Sequence, residues 1–259
     1  MIDKTIKTKK HLGQNFLTNK KIVKKIIEVS NVNNKEIIEI GPGQGALTFE
    51  LVKYAKKVYA YEVDEKMIEI LQSNINNENL ILEHQDFLKV TFDWEGKRDV
   101  VANLPYYITS NILFKIFENI EYFSKLTIMV QNEVADRIIA KPKTSEYSKL
   151  SVSCQFLANV KKEFIVKANN FFPVPKVDSA IITLEFKKDL NKKNTQDFLL
   201  FIKKCFLMKR KTLFNNLKTF LQTDSILKMF EELNIKNNVR AQELSVDKYL
   251  EIFNYLNHL

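Results

Sequence analysis

The sequence predicts an α/β fold: a seven-stranded, mostly parallel sheet covered by helices, followed by a small all-helical C-terminal domain. Three observations carry it. Short β-branched runs alternate with helical patterns from Glu36 to Val130, which implies parallel strands joined by helical crossovers. The first of these runs stops at a glycine-rich turn, GPGQG (41–45). After Lys188 the strand signals cease and only helical periodicity remains. The domain boundary is placed there, giving residues 1–187 and 188–259.

Taken in order, Asn19–Asn31 sets Ile22, Val23, Ile26 and Ile27 on one helical stripe with lysines opposite. EIIEI (36–40) is a strand delivering into the glycine turn. Ala46–Ala55 is helical, and VYAYE (58–62) is the second strand. A helix over Glu65–Asn74 precedes the third strand, LILEHQD (80–86). DVVAN (99–103) is the fourth strand and halts at LPYY. Ser110–Phe117 is helical, LTIMV (126–130) is the fifth strand, and Glu133–Ala140 is helical. A long segment without a clear period follows. KKEFIV (161–166) and AIITLEF (180–186) then read as two closing strands around NNFFPVPKVDS. Beyond the boundary, helices are expected over Thr195–Lys209, Lys211–Phe220, Asp224–Leu233 and Val246–Asn257.

Apolar residues make up 45% of the 259-residue chain and charged residues 27%, an ordinary globular balance. The net charge of +9 is unevenly spread: Met1–Asn34 carries 8 basic and 2 acidic residues, Lys187–Leu259 carries 14 and 8, and the middle is slightly acidic. Basic ends suit a polyanion gripped from two sides; solvated lysine-rich helices would give the same count. Cys154 and Cys205 form no CxxC pair, and His11, His84 and His258 have no metal-ligand spacing. No metal is expected. No apolar run approaches a membrane span, and MIDKTIKTKKHLGQ lacks a hydrophobic signal core. A cytoplasmic protein is expected, with no membrane association and a monomeric state.

Three strand ends carry the chemistry. Gly41, Gly43 and Gly45 let the backbone turn sharply and approach a ligand closely. Alone, such a turn is a weak signal. Glu62 ends the second strand, about twenty residues on, where an acid can accept ribose hydroxyls. Asp86 ends the third, placed to receive an adenine amine. No Lys–Ser/Thr pair accompanies the glycines, so a nucleoside is favoured over a triphosphate. The fourth strand ends in Asn103-Leu104-Pro105-Tyr106. By itself this tetrapeptide is a turn with a core tyrosine. In this setting it suits methylation of an adenine amine, whose lone pair is delocalised into the ring. The Asn103 side-chain oxygen and the Leu104 carbonyl would accept the amine hydrogens and stabilise the developing positive charge. Pro105 would fix the turn, and Tyr106 would stack on a base flipped from its helix.

The sequence resembles the ribosomal RNA adenine N6,N6-dimethyltransferase family, in its housekeeping small-subunit branch. KHLGQNFL (10–17), EIGPGQGALT (39–48), NLPYYITS (103–110), QNEVADRI (131–138), YSKLSVSCQ (147–155), FFPVPKVDSA (171–180) and KRKTLFNNL (209–217) match in order. The resemblance implies a class I, Rossmann-like methyltransferase domain over 1–187 that uses S-adenosylmethionine, and an rRNA-binding domain over 188–259. Asn15, Leu17, Gly41, Gly43, Glu62, Asp86 and Asn103 would line the cofactor site. Phe171 would pack on the far side of the target base, and Lys209, Arg210 and Lys211 would contact rRNA phosphates. The substrate would be two adjacent adenosines in a hairpin loop near the 3′ end of small-subunit (16S) rRNA, methylated late in subunit assembly. Tyr107 departs from the family, where many members have a smaller polar residue.

The large-subunit branch of the family is the nearest rival; QNEVADRI, LSVSCQ and Asp178 in PKVDSA lean away from it. The glycine turn, Glu62, Asp86 and NLPY speak against a non-catalytic RNA-binding protein on the same fold. A DNA adenine methyltransferase would need a target-recognition domain larger than the basic tail.

Overall fold

The computed structural model describes Thr5, Thr8, Lys9 and residues 12–257. Lys10 and His11 of the KHLGQNFL motif, most of the basic leader before them, and His258 lie outside the described residues.

The chain divides into two compact units, Met1–Ala135 with Lys161–Phe186 and Asp136–Val160 with Lys187–Leu259. The strands are β1 (Phe16–Leu17), β2 (Glu36–Ile40), β3 (Lys57–Glu62), β4 (Leu80–His84), β5 (Arg98–Asn103), β6 (Phe123–Gln131), β7 (Ala158–Val166), β8 (Phe171–Phe172) and β9 (Ser179–Phe186). Seven of them form one sheet in the order β4-β3-β2-β5-β6-β9-β7. The pairs from β4 through β6 are parallel, and β9 runs antiparallel to β6. The seven predicted strands and the mostly parallel sheet are therefore observed. β2 and β5 are buried along nearly their whole length, as befits parallel strands covered on both faces.

The first unit places α1 (Lys20–Ser30), α2 (Thr48–Tyr54), α3 (Glu65–Asn74) and α4 (Thr109–Glu118) between these strands. The Lys21 backbone N–H donates to Asn19 Oδ1 at 2.9 Å, capping the start of α1. Asn31 ends the helix in the left-handed region at φ 52°. Val23, Ile26 and Ile27 of α1 share a buried core with Leu51 of α2, Leu71 of α3 and the strand residues Ile37, Val58, Val101 and Met129.

Strand order reverses between β2 and β5, because the chain builds outward through β3 and β4 before returning. That point opens a crevice at the carboxyl ends of the strands, where ligands bind open α/β sheets. The turns after β2 and β5 meet there: a Cβ on Gly41 would lie 3.8 Å from Pro105 Cγ. Antiparallel β9 begins on the same side, with Ser179 opposite Gln131 at the end of β6.

The second unit contains α6 (Lys149–Leu157), α7 (Lys192–Cys205), α8 (Leu213–Leu217), α9 (Thr223–Glu232) and α10 (Val246–Asn257), and α5 (Asn132–Ile139) spans the division. Residues 136–160 thus pack with the helical tail, whereas the sequence reading places them in the first domain. Ala140, Tyr147 and Val152 share an apolar core with Phe198, Ile202, Leu213, Met229 and Tyr249. Helix α6 is also the one sequence periodicity misses. Leu150, Ser151, Val152, Ser153, Cys154 and Leu157 are all buried, so no polar face marks its period. Two of its polar side chains bond to nearby backbone: Ser151 Oγ donates to the Arg137 carbonyl at 2.5 Å, and Gln155 Nε2 donates to the Ile138 and Ala140 carbonyls. Both cysteines are buried and free.

Candidate active site

The crevice holds a cavity of about 400 Å³ walled by four stretches: the segment Leu12–Leu17, the glycine turn, the ends of β3 and β4, and the turn after β5. Each arrives there for a local reason.

The glycine turn needs its glycines. Gly41 and Gly43 have φ of +66° and +55°, a region that disfavours side chains. A Cβ on Gly43 would also come within 2.8 Å of the Phe16 ring, so this turn and the N-terminal segment are in close contact. The Gly41 N–H donates to the Tyr61 carbonyl at 2.9 Å, tying the turn to β3.

Glu62 ends β3 at 6% exposure. Its Oε2 accepts from the Gly43 N–H at 3.0 Å, and its Oε1 accepts from the Val63 and Asp64 N–H groups at 2.8 and 2.9 Å. Burial pushes its pKa up, and these three N–H donors oppose the rise. Two oxygens offer about four lone pairs, so at least one remains for a ligand donor. Asp86 follows β4 and lines the cavity. Its Oδ1 accepts from the Leu88 N–H at 2.9 Å.

The turn after β5 presents two acceptors. Asn103 Nδ2 donates to the Asn15 carbonyl at 3.0 Å. This bond uses one of the two N–H donors and turns the nitrogen toward Asn15, and Oδ1 is the amide's acceptor for a ligand. The Leu104 N–H donates to the Met129 carbonyl at 3.1 Å, whereas its own carbonyl accepts no hydrogen bond among the described residues. Pro105 holds φ at −59°, and its carbonyl accepts from Thr109 Oγ1 and the Ile108 N–H. The Tyr106 hydroxyl is 2.6 Å from Ser179 Oγ, which pins the ring between the turn and β9. Burial raises its pKa. Tyr107 stands at the rim, 56% exposed.

Of the residues the sequence singled out, Asn15, Leu17, Gly41, Gly43, Glu62, Asp86, Asn103, Leu104, Pro105 and Tyr106 all line this one cavity. Phe171 does not. It is 3% exposed and packs in the core with Leu17, Val166 and Ile181. The cause is strand alternation: β8 pairs antiparallel with β1, and successive side chains face opposite sides. Phe171 therefore faces the core and is not among the cavity-lining residues. Lys209, Arg210 and Lys211 are exposed on a turn of the second unit. Buried Asn216 organises that turn, with Oδ1 accepting from the Met208 N–H at 2.7 Å and Nδ2 donating to the Met208 and Thr212 carbonyls.

Four residues escaped sequence reasoning. Glu39, at 1% exposure, lines the cavity with Oε2 buried and unpartnered. Burial pushes its carboxyl up to about 8, and neighbouring Glu62 adds to the rise. Gln14 lines the cavity and bonds Asp64, and Ser179 bonds Tyr106. Glu39, Gln14 and Ser179 sit inside quoted motifs, but their partners are remote in sequence. Asp64 sits in none. Among the described residues no cluster of His, Cys, Asp and Glu could hold a metal, and no helix is long and apolar enough to cross a membrane.

Residues 5–258 match the sequence model of the family described as ribosomal RNA adenine dimethylase. The chain is 49% identical over 247 residues to the ribosomal RNA small subunit methyltransferase A of Mesomycoplasma hyopneumoniae (strain J), covering 95% of each chain. It is 48% identical to the protein of the same name from Mycoplasma mobile, covering 96% of this chain and 98% of that one. A dimethyladenosine transferase from Plasmodium falciparum superimposes with a TM-score of 0.83 at 28% identity, covering 94% of this chain and 98% of that one. The 23S rRNA methyltransferase ErmE shares the fold, with a TM-score of 0.70 at 24% identity over 94% of this chain and 100% of that one.

Proposed function

Because this chain belongs to the ribosomal RNA adenine dimethylase family, and is accordingly an S-adenosylmethionine-dependent rRNA adenine dimethyltransferase, we propose how its cavity does that work and on which RNA. The substrate is the small-subunit (16S) rRNA, at two adjacent adenosines in a hairpin loop near its 3′ end, methylated late in subunit assembly. The near-half identity to small-subunit enzymes along almost the whole chain supports this choice over the large subunit.

The cavity suits S-adenosylmethionine. Gly41 and Gly43 leave a cradle without side chains, Glu62 and Asp86 offer carboxylate oxygens to ribose and adenine, and Glu39 adds an orphaned carboxyl oxygen. Asn15 and Leu17 close the cavity from the N-terminal side. When bound, the cofactor supplies a sulfonium-activated methyl group.

The protein's part is orientation and charge. The Asn103 side-chain oxygen and the Leu104 carbonyl accept the two hydrogens of the target amine. This draws the nitrogen toward the pyramidal form and stabilises positive charge as it develops. Neither group is a base, so the surplus proton leaves to water after transfer. Tyr106, held by Ser179, stacks on a base turned out of its hairpin. Lys209, Arg210 and Lys211 contact phosphates and hold the hairpin without reading its bases. The enzyme acts as a cytoplasmic monomer free of membrane.

One observation carries the site reading. One N–H of the Asn103 amide donates to Asn15, which orients the side chain so that its oxygen, with the Leu104 carbonyl, supplies the acceptors at the end of β5. The test is incubation of the protein with labelled methyl donor and undermethylated small subunits, followed by mapping of modified nucleotides. Label confined to two adjacent adenosines near the 3′ end is expected. Label elsewhere in the small-subunit rRNA, or on a single isolated adenosine, would overturn the assignment.

A further inference from the structure

Six consecutive residues, Leu12–Leu17, make one wall of the cavity. The wall is anchored at its far end by the β1–β8 pairing of Phe16 and Leu17. Asp64 anchors the near end. It is 2% exposed, follows two residues after Glu62, and is absent from the cavity lining. Gln14 Nε2 donates to its Oδ2 at 2.7 Å, and Lys9 Nζ donates to its Oδ1 at 2.8 Å. The Lys66 N–H also donates to Oδ1, at 3.2 Å, so Asp64 caps α3 as well. Gln14 Oε1 in turn accepts from the Lys9 backbone N–H at 2.8 Å. Both ends of the Gln14 amide and both oxygens of Asp64 are therefore engaged.

We propose that Asp64, Gln14 and Lys9 form a clasp that sets the N-terminal wall of the cavity, making Asp64 a positioning residue for methyl-donor binding. The inference rests on the reading of this cavity as the donor site. Asp64 acts through Gln14 and touches no ligand itself. Closing the clasp fixes Gln14, and the next residue, Asn15, then presents its carbonyl to Asn103. Phe16 follows, against the glycine turn. One buried carboxylate thus orders both the donor wall and the amide that meets the target base. The low carboxyl pKa of Asp64 fits this arrangement: burial alone would raise it, and the bonds from Lys9 and Gln14 outweigh that effect.

The clasp has a polarity that can be reversed. In Asp64→Asn the amide cannot accept from both partners, although Asn still caps α3. In Gln14→Glu two carboxylates face each other. In the double variant, the amide introduced at position 64 donates to the carboxylate introduced at position 14, which still accepts from the Lys9 N–H. Calorimetry with S-adenosylmethionine and S-adenosylhomocysteine is run on the full chain, first on the native protein. Hydrogen exchange at Leu12–Leu17 without ligand provides a second readout. Each single variant is expected to weaken both ligands about tenfold or more, the loss of one charge-assisted hydrogen bond. Exchange at Leu12–Leu17 should quicken, and the double variant should recover to within about threefold. Native affinity in folded Asp64→Asn, or a double variant as weak as the worse single one, would overturn the clasp. If Asp64→Asn does not fold, Gln14→Glu and Gln14→Ala with unchanged affinity would overturn it equally. If the native protein binds neither ligand, the donor-site reading fails instead, and the clasp's role with it.

Discussion

The side-chain amide of Asn103 donates to the backbone carbonyl of Asn15 across 3.0 Å, joining the end of β5 to a segment 88 residues earlier in the chain. That one bond turns the amide nitrogen toward Asn15. Asn103→Ala removes the acceptor and leaves the glycine turn and Glu62 in place. Turnover is expected to fall by about 10²–10³-fold, the usual loss for one such group. Donor affinity should change by less than about threefold. Single-turnover methylation beside calorimetric donor binding separates the two, and near-native turnover would remove Asn103 from the acceptor role.

Glu62 is the acid most tightly held in the site, with three backbone N–H donors. Glu62→Gln keeps the volume but replaces a carboxylate oxygen with a donor aimed at donors. The donor dissociation constant should rise about tenfold or more. An unchanged constant would show that ribose is recognised elsewhere.

Glu39 links stability to pH. Its ordinary carboxyl pKa is 4.5, and burial lifts it to about 8 in the folded protein. Between those values the unfolded chain has lost a proton that the folded chain keeps. The neutral carboxyl therefore contributes stability fully below pH 4.5, and that contribution is lost as pH rises toward about 8. Melting of the ligand-free protein should show this decline, and Glu39→Gln should flatten it. Parallel curves for the two proteins across this window would mean that Glu39 is ionised in the fold.

The exposed turn of Lys209, Arg210 and Lys211, held by Asn216, should contribute to RNA affinity by counterion release. Replacing all three with Ala should weaken binding and lower the slope of log affinity against log salt by about two to three. Donor affinity should be unaffected. A salt slope equal to that of the native protein would place the RNA on another surface.

Much of the site was legible in the chain order. Gly41, Glu62, Asp86 and Asn103 each end or follow a strand, and parallel strands bring those ends to one edge. Their convergence followed from counting strands and turns. Helix α6 was not legible, since burial on all sides erased the polar face that marks a period. The burial of Phe171 was not legible for a related reason: the two-residue pairing of β8 with β1 is too short to show alternation in sequence, yet it sends that ring into the core.

Sequence alone determined the sheet, the family and the strand ends at which Gly41, Glu62, Asp86 and Asn103 lie, because these rest on local periodicity and on motifs read along the chain. Only the tertiary structure decided which way the Asn103 amide turns, that Ser179 holds Tyr106, and that Asp64 reaches back to Gln14. Those relations join residues 50 to 88 positions apart. A hydrogen bond depends on distance and direction in space, and neither exists until the strands have packed.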